Sequence, residues 1–451
     1  MTTRVYLAQW VVPISSPPIA NAAVAVTGGR IVYVGSASEA PEGQRIDLGS
    51  AVLLPGLVNT HTHLELTAFR GFLEDLPFLP WIRRLTESRE RAMTNERRRA
   101  SARVGIAEGL LAGVTSFADC SDSGTSAAAL GEFGARGIVY QEVFGPDPAS
   151  CGQSISELRE RLARLTEHAS PLVEVGISPH APYTVSDELF AASADLAHQR
   201  GMRLAVHVAE GASESELITE GAGAFATALR ARKITVAPRG RSTIELLWRL
   251  GVLGPGTLLI HGVRLTTEDI RLVAEEGCGV AHCPASNAKL GHGIAPVADM
   301  QSAGIAVGLG SDSVASSNRM DLLDESRLAA LCQRIRTQRP DVMGAAAALR
   351  LATLGGAEAL GLADRVGSLA PGKEADLAAF PLDPVSDAST YGPEEALVFG
   401  RGGRQACLTT VGGRELVRDG RLVATVSEDA RVVRELAKEL AGDRQNLTGA
   451  G

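Results

Sequence analysis

The stretch Pro55-Gly56-Leu57-Val58-Asn59-Thr60-His61-Thr62-His63 decides how the rest of the chain is read. An apolar run, Ala51 to Leu54, leads into it. Pro-Gly breaks that run, and a second short apolar segment ends in two histidines spaced i, i+2. On a β-strand such a pair points to one face. Two imidazoles at one strand end can therefore reach a single metal ion, which needs further ligands from elsewhere and a place for water if it is to be catalytic. Taken alone, the pair reads more simply as part of a surface loop, so the surrounding chain has to decide.

Upstream, residues 1–55 read as short β-strands (Arg4–Val12, Ala22–Thr27, Arg30–Val34, Arg45–Leu54), with Gly28-Gly29 as a tight turn. Downstream, strands alternate with helices. Apolar, β-rich segments recur at Leu57–His63, Thr115–Asp119, Ile138–Phe144, Val173–Pro179, Arg203–Glu210, Thr257–Val263, Gly279–Pro284 and Ala306–Asp312. Helical patterns lie between most of them, such as Glu96–Ala112, Ser154–Glu167, Ser186–Arg200, Glu214–Arg230 and Thr267–Glu276. The strand interiors run nearly continuously apolar, as for strands buried on both faces. This predicts an α/β fold, a (β/α)8 TIM barrel over residues 56–364, with its chemistry at the C-terminal strand ends. After a helical stretch, Arg319–Leu360, β-type sequence returns and completes a composite β-sandwich of residues 1–55 and 365–427. Neither terminal block is large enough to bury a good core alone. Residues 428–451 read as a final helix, Glu428–Leu440, and a frayed polar tail from Gly442.

The strand ends then decide the first question. Strand 1 gives His61 and His63, strand 4 His180, strand 5 His207 with Glu210 three residues on, strand 6 His261, strand 7 His282 and strand 8 Asp312. Of nine histidines, only His168, His198 and His292 fall elsewhere. Histidines serving as core or surface fillers would show no such bias.

The motifs Pro-Gly-Leu-Val-Asn-Thr-His-Thr-His, His-Val-Ala-Glu, His-Cys-Pro-Ala-Ser-Asn-Ala-Lys-Leu-Gly and Gly-Ser-Asp resemble the amidohydrolase superfamily over nearly the whole chain. More narrowly they are similar to its heterocycle and nucleoside deaminases, those acting on S-adenosylhomocysteine, methylthioadenosine, aminodeoxyfutalosine and guanine, and to the triazine hydrolases. The resemblance implies His61, His63, His207 and Asp312 as ligands of one Zn²⁺, with Fe²⁺ as the alternative. Three neutral imidazoles and one carboxylate leave a positive centre that lowers the pKa of a bound water to about 7. Members with two metals carry a carboxylated lysine, usually at the end of strand 4. The first lysine here is Lys233, well past that point, so one metal is expected.

The same resemblance implies Glu210 as proton shuttle, with His261 and Asp312 flanking the metal-bound water. His180 is expected to contact substrate, its alternative being a structural histidine in a Pro-rich loop. The segment Leu64–Arg91 reads as a substrate lid. Within it Trp81 is either core or a pocket wall, and the resemblance to adenosyl-group deaminases implies a ribose-binding glutamate, Glu90 by ungapped counting from His63 or Glu87 if a short gap intervenes. Glu65 stands where methylthioadenosine-type deaminases carry an apolar or small residue. The stretch His63-Leu64-Glu65 is similar to aminodeoxyfutalosine deaminases, which favours that substrate over methylthioadenosine or S-adenosylhomocysteine. The expected reaction is hydrolytic deamination of a 6-aminopurine nucleoside derivative with release of ammonia. A deaminase or dechlorinase acting on a guanine, cytosine or triazine ring is the alternative within the class, and a non-catalytic binding barrel the remote one.

The totals agree with an enzyme acting on a small molecule. The chain has 451 residues, 45% of them apolar, and a net charge of −8. No basic stripe marks a nucleic-acid partner. No run of about 18 apolar residues marks a membrane span, and no signal-peptide pattern opens the chain. Six scattered cysteines without a CxxC read as reduced thiols in a cytoplasmic protein. The resemblance suggests a homodimer or larger assembly.

Overall fold

A computed structural model describes residues 2–400 and 402–448. Eight strands form one parallel sheet in sequential order: β6 (Leu57–Thr62), β7 (Val114–Ser121), β8 (Arg136–Val143), β9 (Val173–Pro179), β10 (Leu204–Val208), β11 (Thr257–His261), β12 (Gly279–His282) and β13 (Val307–Leu309). Their continuous apolar character has the expected cause, since β6, β7, β8 and β10–β13 are buried at every residue. Alternate residues, among them Val58, Ile138, Tyr140, Leu258 and Ile260, fill the barrel interior.

The ring closes between the first and last strands at the functional end. Thr62 and Asp312 form a parallel bridge, and the Asp312 N–H donates to the His61 carbonyl at 2.9 Å. The Asn59 side chain stitches the same seam, donating to Ser311 Oγ at 2.8 Å and accepting from the Ser311 N–H at 3.0 Å. Gly310 lies against it, where any Cβ would stand 2.8 Å from that of His61. Parallel pairing brings all eight C-terminal strand ends to one mouth.

The small β-structure expected from the two chain ends takes the form of one mixed sheet of nine strands. It comprises β1 (Arg4–Val11), β2 (Ile19–Thr27), β3 (Arg30–Ser36), β4 (Gln44–Asp47), β5 (Ala51–Pro55), β14 (Leu377–Pro381), β15 (Leu408–Val411), β16 (Arg414–Arg418) and β17 (Arg421–Leu422). The expected strand Arg45–Leu54 is two, β4 and β5, because the chain turns at Gly49 with φ +62°. Likewise the helix expected over Glu214–Arg230 is two, Ala212–Glu220 and Gly223–Ala231, divided at Gly221 with φ +61°.

A buried guanidinium ties this sheet to the barrel. Arg136, at the start of β8, reaches Asp376 through Nε at 2.8 Å and Nη2 at 3.0 Å, and Glu374 at 2.6 Å. Such a bidentate pair is both strong and directional.

Over the barrel mouth lies the segment after β6. It contains a 3₁₀ turn, Leu64–Phe69, and helix α1 (Phe78–Ala92), followed by α2 (Asn95–Leu111). The final helix, Ser427–Thr448, packs on α2 and on the 3₁₀ turn. Its Leu436 and Leu440 join Leu66, Phe69, Trp81 and Leu85 in one apolar cluster. This helix runs beyond the expected Leu440, so the polar segment from Gly442 is helical as far as Thr448; the tail's last residues, 449–451, lie outside the described residues. The six cysteines are free. Among the described residues no helix is long and apolar enough to cross a membrane.

Candidate active site

Strand ends bring five expected residues to one point. His61, His207 and His261 form one group of donor atoms, and His61, His63 and Asp312 another, each with its atoms within 4.8 Å of one another. Asp312 Oδ1 stands 3.3 Å from His61 Nε2 and 3.8 Å from His63 Nε2. His61 is fully buried, and neither ring nitrogen has a hydrogen-bond partner among the described residues. Buried polar atoms without partners are rare unless something else completes them. Burial pushes the His207 imidazole down to about 3, reinforced by His61 and His261, and pushes His63 well below its ordinary value. Neutral imidazoles with free lone pairs beside a carboxylate suit a divalent metal.

Two of these donors, His207 and Asp312, are held from behind. His207 Nδ1 lies 2.9 Å from the His180 carbonyl, which leaves Nε2 to face the cluster. Asp312 accepts from Ser286 Oγ at 2.5 Å, Ser316 Oγ at 2.9 Å and the Ser313 N–H at 2.6 Å. Ser313 also caps the short helix Val314–Ser317. Asp312, His261 and Ala209 have φ of +54°, +74° and +47°, a backbone region costly for side-chain-bearing residues that concentrates at functional sites.

Glu210 lies on the β11–β12 flank of His207. Its carboxylate is 3.5 Å from His261 Nε2 and 3.3 Å from His292 Nε2, and accepts from Tyr183 Oη at 3.2 Å. Burial alone would raise its pKa, but the imidazoles of His261, His292 and His207 outweigh it and hold the group at about 2. Glu214 fixes the backbone beneath. Its carboxylate accepts from the Ala209 N–H at 2.7 Å and the Glu210 N–H at 3.0 Å. His261 is aligned by Asn287, whose Oδ1 is 3.0 Å from Nδ1.

The opposite flank holds His180 and Glu142. His180 tilts over His207, with ring centroids 4.7 Å apart, and its Nδ1 is 2.8 Å from Thr184 Oγ1. Glu142 is 2% exposed, its Oε1 has no partner among the described residues, and burial pushes its carboxyl up to about 8.

The lid residues divide. Trp81 is buried in the apolar cluster it shares with the final helix, so core packing accounts for it. The aromatic wall beside Glu210 is Phe78, which meets His292 edge-on at 4.7 Å and stands 6.2 Å from both Tyr183 and Phe225. Glu65, expected at the substrate, does not join the cluster. It is buried and accepts from Ser121 Oγ, from Ser123 Oγ at 2.7 Å and from Thr125 Oγ1 at 3.2 Å, with Arg98 3.3 Å away, so its charge serves the β7 loop. Glu90 is exposed on α1, and among the described residues its carboxylate makes no hydrogen bond or ion pair. Its neighbour Arg89 turns toward Asp122, 3.8 Å away. Lys289 ties the segment after β6 to the β13 loop, donating to Glu74 at 2.6 Å and to Asn318 Oδ1 at 3.1 Å. His282 is buried at the end of β12 with both ring nitrogens unpartnered among the described residues.

Sequence reasoning missed His292, Tyr183 and Glu142. The first two sit in loops beyond the strand ends, where no periodicity marks them. Glu142 carried a signal, being the single charge in the β-rich run Ile138–Phe144.

Comparison with known proteins places this arrangement. Residues 52–416 match the amidohydrolase family. A 5-methylthioadenosine/S-adenosylhomocysteine deaminase of Moorella thermoacetica is 33% identical over 438 residues, 95% of this chain and 97% of that protein. The crystal structure of an adenosine deaminase from Xanthomonas campestris with bound zinc superposes with a TM-score of 0.86 at 29% identity, covering 97% of this chain and 98% of that one. The aminofutalosine deaminase of Helicobacter pylori, solved with methylthio-coformycin, shares the fold at 21% identity, with a TM-score of 0.80 over 92% of this chain and 100% of that one.

Proposed function

The chain belongs to the amidohydrolase family and is a hydrolase of carbon–nitrogen bonds; on that premise we propose that it deaminates a 6-aminopurine nucleoside derivative and releases ammonia. The observation that carries the reading is Glu210, a buried carboxylate held ionised within reach of the donor cluster and walled by Phe78 and Tyr183. His61, His63, His207 and Asp312 would hold one divalent ion, zinc by the donor set and by the zinc-bound relative, with Fe²⁺ fitting the same ligands. Such an ion supplies a water acidic enough to react at neutral pH.

Deamination adds water to C6, protonates the neighbouring ring nitrogen and expels the amine as ammonia. Glu210 takes the proton from the attacking water and delivers it to the ring nitrogen. Its depressed pKa keeps it a base until substrate arrives. His261, aligned by Asn287 and 3.5 Å from Glu210, stabilises charge on the reacting oxygen. Asp312, fixed by three donors, is placed to take the hydroxyl proton left on the reacting oxygen and pass it to the departing amine. His180 and the aromatic wall hold the ring.

Among substrates, the 33% identity to the Moorella enzyme supports methylthioadenosine or S-adenosylhomocysteine. The case for aminodeoxyfutalosine rested on Glu65, whose carboxylate is taken up by Ser121, Ser123 and Thr125. The test is ammonia release from methylthioadenosine, S-adenosylhomocysteine, aminodeoxyfutalosine and guanine by zinc-loaded enzyme, with a chelated control. Release from a 6-aminopurine nucleoside is expected. Turnover of guanine alone, or silence on all four with metal confirmed bound, overturns the reading.

A further inference from the structure

His292 is an imidazole that no strand end supplies, and the chain around it is shaped to deliver it to Glu210. It follows the short helix Pro284–Lys289. Gly291 and Gly293 bracket it with φ of +70° and +114°, conformations open to glycine. Its backbone N–H donates to the Asn287 carbonyl at 2.9 Å, while the Asn287 side chain meets His261 Nδ1 at 3.0 Å. One asparagine thus sets both of the imidazoles nearest Glu210. Gly211 follows Glu210 directly, and a Cβ there would stand 2.8 Å from His292 Nδ1, so the ring lies close on the backbone that carries the carboxylate. Its Nε2 is buried and 3.3 Å from Glu210 Oε1, near enough to attract that oxygen but not aligned as a hydrogen bond. Phe78, the first residue of α1, meets the same imidazole edge-on at 4.7 Å. It also stands 6.2 Å from Tyr183, which donates to the other oxygen of Glu210 at 3.2 Å.

Resting on the deaminase reading above, we propose that His292 is a positioning residue that links helix α1 to the proton shuttle: Phe78 sets the imidazole, and the imidazole sets the Glu210 carboxylate. Glu210 has two transfers to make, from the attacking water and to the ring nitrogen, so the direction of its oxygens matters to both. Tyr183 holds Oε2. Oε1 faces two imidazoles, His261 at 3.5 Å and His292 at 3.3 Å. His261 is committed to the reacting oxygen, which leaves His292 Nε2–H to hold Oε1. A substrate ring packed on Phe78 fixes that side chain and with it the imidazole, turning a near contact into an aligned hydrogen bond. Catalytic hydrogen bonds that are long before substrate binds tighten in this way. No proton passes through His292 in this role; it acts through Glu210 alone.

The experiment measures kcat and KM with the fastest of methylthioadenosine, S-adenosylhomocysteine and aminodeoxyfutalosine. It uses zinc-loaded wild type, His292→Gln, His292→Met, Phe78→Leu and the double variant of Phe78→Leu with His292→Met. Glutamine carries an N–H to about the place of Nε2, and methionine fills the space without one. His292→Met should lose roughly 10- to 100-fold in kcat with KM within about threefold, the pattern of an interaction made only in the transition state. His292→Gln should stay within about fivefold of wild type, because the donor is kept. Phe78→Leu should cost roughly tenfold in kcat by itself but less than about threefold on top of His292→Met, since residues acting through one path are not additive. Zinc content and melting temperature identify a variant that fails to fold. Should methionine do so, His292→Ala assayed with and without added imidazole takes its place in both comparisons, and imidazole should restore activity. Equal losses in the Gln and Met variants, or no rescue by imidazole, mean that His292 only fills space and overturn the assignment. A Phe78→Leu loss of the same size in both backgrounds overturns the link to α1. Either result leaves the deaminase reading intact, whereas no turnover of the three nucleosides by the zinc-loaded wild type overturns both.

Discussion

Two glutamates flank His207, both nearly inaccessible to water, and their surroundings drive them apart. Glu210 is ringed by His261, His292 and Tyr183 and is held ionised, near pKa 2. Glu142, on the other flank, has an oxygen without a partner among the described residues and is pushed up to about 8. Residue type and burial are the same; the neighbouring donors differ. When the environment separates two carboxyls in this way, it separates their tasks. The preorganised one is the proposed proton carrier, and the other keeps an oxygen without a partner among the described residues.

The largest effect should come from removing what both flanks depend on. His61→Ala should abolish activity and lower bound zinc by metal analysis, because that side chain stands in both donor groups. Glu210→Gln should retain zinc yet lose about 10²- to 10⁴-fold in kcat, the usual contribution of general acid–base catalysis. Glu142→Gln, by contrast, should hold kcat within a few-fold; equal losses in the two variants would dissolve the division of labour. Glu214→Gln leaves one of two backbone N–H groups without its acceptor. We expect roughly tenfold in kcat from the loosened Glu210, in line with a lost buried hydrogen bond of about 1–2 kcal/mol.

The smallest effect is on stability, and its sign differs between the flanks. Glu210, depressed from 4.5 to about 2, favours folding above pH 4.5, and that contribution is lost as pH falls toward 2. Glu142, raised from 4.5 to about 8, favours folding below pH 4.5, and that contribution is lost as pH rises toward 8. Each contributes a slope of up to about 1.4 kcal/mol per pH unit within its window. Melting curves of metal-free protein should therefore fall less steeply between pH 5 and 8 in Glu142→Gln than in wild type. An unchanged slope would mean that Glu142 has a partner in solution.

The contrast also marks where the sequence could be read. His61, His207, His261 and Asp312 were legible because a parallel barrel sends every strand end to one mouth, and apolar runs locate those ends. Glu210 stands three residues past His207 at the same strand end, and the resemblance implied its role. His292 and Tyr183 were not legible, since loop geometry alone carries them to Glu210. Glu65 misled in the other direction. It lies two residues from His63, but a 3₁₀ turn swings it to the hydroxyls of Ser121 and Ser123. Two helices replaced one where Gly221 takes a left-handed conformation that helical periodicity does not register.

The final helix has a consequence for how the molecule comes into being. Synthesis has supplied every proposed metal ligand once Asp312 has emerged, yet the segment over the mouth packs against Leu436 and Leu440. The carboxylates that neutralise buried Arg136 also arrive late, at Glu374 and Asp376. A growing chain on the ribosome thus carries every proposed ligand well before the buried charge of β8 is balanced or the segment over the mouth gains its last apolar partners.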